Sequence, residues 1–223
     1  MIPYPPIEPP HIAVRFPEPR RGEDVVAVSR SLSPALVLEA YRGGIFPWPV
    51  RQGLVPWASP DPRAIFELDR FHTSESLARP IRKAVFEITI DRVFRQVMEG
   101  CAGPSPGRAS TWISSKFIEA YTALHDLGHA HSVECWQDGQ LAGGIYGVSI
   151  GGFFAGESMF HRVSGASKVA FASCVDRLRE RGFLLFDVQV LTAHLSLLGC
   201  REISRDDYRA RVREALGRSA RFV

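Results

Sequence analysis

Cysteine is scarce and unpaired in this 223-residue chain: Cys101, Cys135, Cys174 and Cys200 stand far apart, with no CxxC pair. That excludes a disulfide-dense secreted framework and a cysteine zinc site, and a reducing cytoplasm is the expected location. Long apolar runs are missing too. The least polar stretch, residues 141–156, is broken by glycines and ends at Glu157, so no membrane partner is expected. "MIPYPPIEPP" has neither a basic nor an apolar leader segment, and no signal peptide is expected. Proline nearly vanishes after Pro62, with 13 of the 16 at or before it. The chain has no HExxH, no GxxxxGK[ST], and no GxGxxG between a strand and a helix. His125, His129 and His131 are split by Gly128, a helix breaker, so they do not share a helical face. No metal and no cofactor are expected.

What is present divides in two. The proline-rich residues 1–63 read as a small N-terminal domain with little regular sheet, because proline fixes φ and removes a donor. One helix is expected there, with Ser33 as N-cap, Pro34 in its first turn and Gly43 or Gly44 at its end. Residues 64–223 read as a larger domain. "FEITI" (86–90) is strand-like, and helices are expected near 91–99 and 114–126. "HSVECWQ", "QLAGGIYGVSI" and "FFAGESMF", joined at Asp138–Gly139 and Gly151–Gly152, predict an antiparallel meander. Residues 164–181 carry an apolar stripe of helical period, and "LLFDVQV" (184–190) follows as a strand. A strand–helix–strand link predicts a parallel pair with the helix across it. The whole is an α/β (α+β) domain with one mixed sheet and a crossover helix, an order that resembles the GNAT acyltransferase fold.

Chemistry concentrates in that last strand. Asp187 and Gln189 lie two apart and so share a face, while Phe186 and Val188 point the other way. Glu157 sits in the neighbouring strand, so the three polar groups are expected to converge. An unpaired buried carboxylate is costly, which leaves two readings: a buried network tied to Arg162, Lys168 or backbone amides, or a functional site. "RVSGAS" (162–167) opens a helix after a strand and is a near miss to an anion-gripping turn for coenzyme A. Trp48, Trp57 and Trp112 are candidate stacking rings. Arg79, Arg82 and Lys83, and Arg177, Arg179 and Arg181, form two basic groups. With a formal net charge of only +3, a polyanionic partner is allowed and not demanded.

The segments "AYRGGIFPW", "SPDPR", "TWI", "GGIYGV", "GESMFHR", "ASK" and "FDVQ…HLSLLG" run in order from residue 40 to 199. Together they resemble the leucyl/phenylalanyl-tRNA–protein transferase family. The resemblance implies a small N-terminal domain on a GNAT-like domain. It also implies transfer of Leu, Phe or less readily Met from aminoacyl-tRNA to proteins that begin with Arg or Lys, for N-end rule degradation. A cytoplasmic monomer is expected. By the same resemblance, Asp187 and Gln189 are the catalytic positions and Glu157 is a further carboxylate at the site. Ile145, Phe154, Phe171, Cys174, Leu178 and Phe186 line the donor side-chain pocket. Trp112 and Trp57 hold the terminal adenosine, and Arg79, Arg82 and Lys83 meet the tRNA acceptor stem. The chain departs from the family pattern at Ser31, Ala58 and Glu75. In the expected mechanism Gln189 accepts from the attacking amine, Asp187 fixes or polarises it, and the amine proton passes to Asp187 or to the leaving ribose oxygen. Glu157 positions the amine or the ribose. The alternatives are an acyl-CoA-dependent acyltransferase and a non-catalytic tRNA- or peptide-binding module.

Overall fold

A computed structural model describes residues 15–49, 53–70, 81, 83–104 and 111–223. Near the N-terminus the helix α1 (Pro34–Arg42) begins where its cap dictates: the Ser33 hydroxyl accepts the Leu36 N–H at 3.3 Å. The N-terminal region contains only short strands among its described residues, in keeping with its prolines. Strands β1 (Val25–Ser29), β2 (Phe46–Pro47) and β3 (Val55–Ala58) form an antiparallel sheet in the order β1–β3–β2. The prolines limit this sheet without preventing it. Pro56 accepts the Trp48 N–H at 2.7 Å but has no N–H to return, and β2 pairing stops at Pro47.

Among the described residues the second sheet has seven strands: β4 (Arg63–Phe66), β5 (Glu87–Ile90), β6 (Ala130–Gln137), β7 (Gln140–Ile150), β8 (Phe153–His161), β9 (Leu185–Gln189) and β10 (Cys200–Ile203). Their order is β10–β4–β9–β8–β7–β6–β5. The expected boundary after residue 63 falls inside β4, whose Arg63 already pairs with Ile203. The meander β6–β7–β8 is antiparallel, and its first turn has Asp138 and Gly139 both at positive φ, +50° and +73°. A two-residue hairpin needs that backbone, and Asp–Gly adopts it readily. Among the described strands only β8 and β9 pair in parallel, with Phe154 beside Phe186 and Ala155 beside Asp187.

Helix α4 (Ala166–Glu180) makes the crossover between those two strands. Its stripe, including Phe171, Cys174 and Leu178, is buried against one sheet face with Ile145, Phe154 and Phe186. On the other face α1 joins α2 (Phe94–Ala102), α3 (Ser115–Asp126) and α6 (Arg205–Leu216) in a second apolar core. The short α5 (Ala193–Leu197) follows β9. The architecture is a mixed α/β sheet with a crossover helix. No described helix is long and apolar enough to cross a membrane.

Candidate active site

β9 is paired on both sides, by β8 and β4, so Asp187 is taken fully out of water. A buried carboxylate must be answered by donors, and four reach it. Arg63 donates from Nε to Oδ1 at 2.9 Å and from Nη2 to Oδ2 at 2.6 Å. Tyr208 Oη donates to Oδ2 at 2.8 Å, and the Gln189 backbone N–H to Oδ1 at 2.9 Å. The partner is Arg63, where Arg162 and Lys168 were the side chains expected: Arg162 bonds the Leu141 carbonyl instead, and Lys168 is exposed. With about four acceptor directions on a carboxylate, Asp187 has none left for a substrate.

Gln189 ends the strand in the left-handed region, φ +60°, and Val190 N–H closes a three-residue turn onto the Val188 carbonyl at 2.8 Å. The opposite strand is also irregular. Tyr146 pairs with Ser158 but Gly147 pairs with Gly156, which leaves Glu157 as the extra residue of a bulge. A bulge bends its strand and re-aims the side chain it carries. Glu157 thereby meets α1, α3 and β9 at once. It accepts from Tyr41 Oη, from Tyr121 Oη at 3.3 Å and from Gln189 Nε2 at 3.0 Å. Tyr41 and Tyr121 also bond each other at 3.1 Å. Burial pushes the Glu157 carboxyl up to about 7, against the pull of the Tyr41 and Tyr121 hydroxyls. Burial and the Glu157 charge push both tyrosines well above their ordinary range, so they act as donors.

Two cavities adjoin this pair. One, of about 340 Å³, has Ile145, Phe171 and Phe186 on its walls. Phe154, Cys174 and Leu178 lie deeper in the same apolar core and do not reach the cavity surface. The other, of about 300 Å³, is flanked by Trp48 and Trp112. Trp112 rests edge-on against Phe117 at 5.2 Å. Trp57 belongs to neither cavity. It is fully buried in the small sheet, with Nε1 on the Ser29 hydroxyl at 2.9 Å and Phe16 at 5.0 Å, and no ring face is open to a base. Glu157, Val188, Gln189, Thr192 and Leu195 line both cavities.

Arg79 and Arg82 lie outside the described residues, as does Glu75, while Lys83 is exposed on a turn. Arg177 and Arg179 are spent on carbonyls, those of Phe222 and Leu68. His131 bonds Asp91 at 2.7 Å, and His125 the Ala130 carbonyl at 2.8 Å. Among the described residues no group of three or more His, Cys, Asp or Glu could hold a metal ion. The first turn of α4, at "RVSGAS", packs on β7 so tightly that a Cβ on Gly143 would stand 2.8 Å from Ala166 Cβ and 3.2 Å from the Ser167 amide. Sequence reasoning gave no role to Arg63, Tyr41, Tyr121 or Tyr208. An arginine at the head of the apolar run "RAIF" was the available signal for Arg63, because a buried cation requires an anion.

The family model of the leucyl/phenylalanyl-tRNA protein transferase matches residues 65–213, and that of its N-terminal domain matches residues 30–61. The leucyl/phenylalanyl-tRNA–protein transferase of Nitrosospira multiformis is 48% identical over 190 residues, 85% of this chain and 82% of that one. That of Herpetosiphon aurantiacus is 49% identical over 196 residues, 87% of this chain and 100% of that one. Among solved structures, L-PGS from Bacillus licheniformis aligns at a TM-score of 0.43 and 14% identity, over 61% of this chain and 49% of that one. With both halves of the chain matched in order and relatives near half identity, the chain belongs to the leucyl/phenylalanyl-tRNA–protein transferase family of aminoacyltransferases.

Proposed function

We propose that this protein transfers Leu or Phe, and less readily Met, from aminoacyl-tRNA to the α-amine of proteins that begin with Arg or Lys, marking them for N-end rule degradation. The observation that carries this reading is the Gln189–Glu157 hydrogen bond on the wall shared by the two cavities. An apolar donor side chain fits the cavity of Ile145, Phe171 and Phe186. The terminal adenosine fits beside Trp48 and Trp112, since bases stack on aromatic rings. The ester joining amino acid and ribose then falls at Gln189.

The reaction is aminolysis of that ester. The amine nitrogen bonds the carbonyl carbon, the bond from that carbon to the ribose oxygen breaks, and the proton leaves the nitrogen for the ribose oxygen. An α-amine has a pKa of about 7.7–8.0, so roughly a tenth or more is neutral near pH 7 and no strong base is required. Orientation supplies the larger share, since aligned reactants gain about 7–11 kcal/mol. Gln189 gives its NH2 to Glu157, which leaves its carbonyl oxygen to accept from the attacking amine. Asp187, with every acceptor direction used, holds Gln189 and does not take the proton. Glu157 is the nearest carboxylate with a pKa suited to carry it.

The test supplies Leu-tRNA, Phe-tRNA and Met-tRNA with an Arg-initiated peptide, an N-acetylated copy of it, and acyl-CoA donors as controls. The expected result is transfer from the charged tRNAs to the free amine alone. Transfer from acyl-CoA, or none from any tRNA, would overturn the reading.

A further inference from the structure

Arg63 lies outside both cavities, yet it has the fullest set of contacts of any charge described at the site. Its guanidinium is fully buried and sits between the rings of Phe46 and Tyr208, with its centre 4.4 Å from each. Besides the paired bonds to Asp187, it donates to the Gly44 carbonyl at 3.3 Å and meets Tyr208 Oη at 3.1 Å. Gly44 and Phe46 belong to the N-terminal domain, and Tyr208 to α6. One cation therefore joins the small domain and the last helix to the strand that ends in Gln189.

That strand end needs holding. A glutamine at φ +60° is in a region costly for any residue with a Cβ, and such backbone persists only where its surroundings impose it. Besides the Val190 bond that closes the turn, the backbone of Gln189 itself is held by its N–H bond to Asp187 Oδ1. Asp187 can serve as that fixed acceptor because Arg63 and Tyr208 settle its other three acceptor directions. We propose that Arg63, acting through Asp187, is a positioning residue: it locks the tight turn at Gln189 and so aims the Gln189 amide at Glu157 and at the reacting ester. Arg63 touches no substrate. Its planar fork makes two parallel bonds to one carboxylate, which a lysine ammonium cannot reproduce. This inference rests on the aminoacyl-transfer reading for its kinetic arm only.

Two variants test it. Arg63→Lys keeps a cation and loses the paired geometry. Tyr208→Phe keeps the stacked ring and loses one bond to Asp187. Each is measured in two ways. One is kcat and KM with saturating Leu-tRNA and Arg-initiated peptide, well below the melting temperature. The other is the NMR signal of the Gln189 side-chain NH2 in the free protein, identified by its loss in Gln189→Met. Displacing a reacting group by an ångström costs about 100-fold, so kcat should fall by about that much in Arg63→Lys with KM for Leu-tRNA unchanged. Losing one bond to a charged group should lower kcat about tenfold in Tyr208→Phe. In both, the NH2 signal should move to the position of a solvated amide. A lowered melting temperature with kcat and the NH2 signal unmoved would mean a purely structural Arg63 and overturn the proposal. If wild-type protein makes no product, the transfer reading fails, and the NH2 signal still decides this one. If Arg63→Lys does not fold, Tyr208→Phe decides it.

Discussion

Glu157 and Gln189 meet at 3.0 Å from two strands whose parallel pairing has already ended at Ala155 and Asp187. A bulge on one strand and a left-handed residue on the other bring them together. Below about 7 the Glu157 carboxyl is protonated, and it can then neither accept the Gln189 amide as an anion nor take a proton. Besides the rise of the acceptor amine at about 7.7–8.0, the rate at saturating substrates should rise with pH through about 7 as Glu157 ionises. Glu157→Gln should remove that rise and keep the one that belongs to the acceptor amine. The loss in kcat should be about 100-fold or more if proton transfer contributes as usual. A Glu157→Gln profile identical to wild type would exclude a role for its ionisation.

The same carboxyl should weaken the fold. Its folded pKa, about 7, lies above its ordinary 4.5, so the folded state binds the proton more tightly than the unfolded chain does. Stability therefore falls as pH rises from 4.5 towards 7, and the full cost persists above that. A difference of this size is worth at most about 3 kcal/mol, and less here because the group faces the water of the cavities. Glu157→Gln should raise the melting temperature at pH 8 by about 2–8 °C, with the gain shrinking as pH falls to 4.5. Calorimetry at the two pH values checks both the sign and the window.

Gly156 fixes the depth of the apolar cavity. A Cβ there would stand 2.7 Å from Phe186 Cε2, and both residues line the cavity. Phe186 is hemmed in by Phe66, Phe154 and Phe171, with centroids 5.8, 5.5 and 5.5 Å away, so its ring has room to move only into the cavity. Gly156→Ala should shrink the space and disfavour the larger donor. In competition, Phe-tRNA should lose about tenfold or more against Leu-tRNA. An unchanged product ratio would mean that the backbone, and not the ring, gives way.

The local elements were readable because their signals are local. Ser33 before Pro34, Asp138–Gly139, and the stripe of Phe171, Cys174 and Leu178 each fix an element within a few residues. The parallel pair of β8 and β9 followed from the connection between them, and with it the meeting of Glu157, Asp187 and Gln189. Arg63 was out of reach for a different reason. It is 124 residues from Asp187 in the chain, and nothing local shows that β4 inserts between β9 and β10. The bulge at Glu157 is equally silent, because it is a mismatch of register between two strands. Proline content predicts that any sheet near the N-terminus is small, but not which strands form it: Pro56 lacks a donor and still accepts from Trp48.

Tryptophan shows the same division between type and place. Trp57 has no exposed surface, while Trp48 is 40% exposed and shares a cavity wall with Trp112. Stacking a base is worth about 1–3 kcal/mol, so Trp48→Ala and Trp112→Ala should each raise KM for Leu-tRNA by about tenfold. Both should leave kcat near wild type, since the loss is one of binding and not of chemistry. Trp57→Phe should do the reverse. It removes the bond to Ser29 and leaves a void beside Phe16, which lowers the melting temperature while KM for Leu-tRNA stays as it was. Steady-state kinetics with thermal unfolding on the three variants separates the two roles. A raised KM in Trp57→Phe, with no change in Trp48→Ala, would reassign the adenosine site to the small domain.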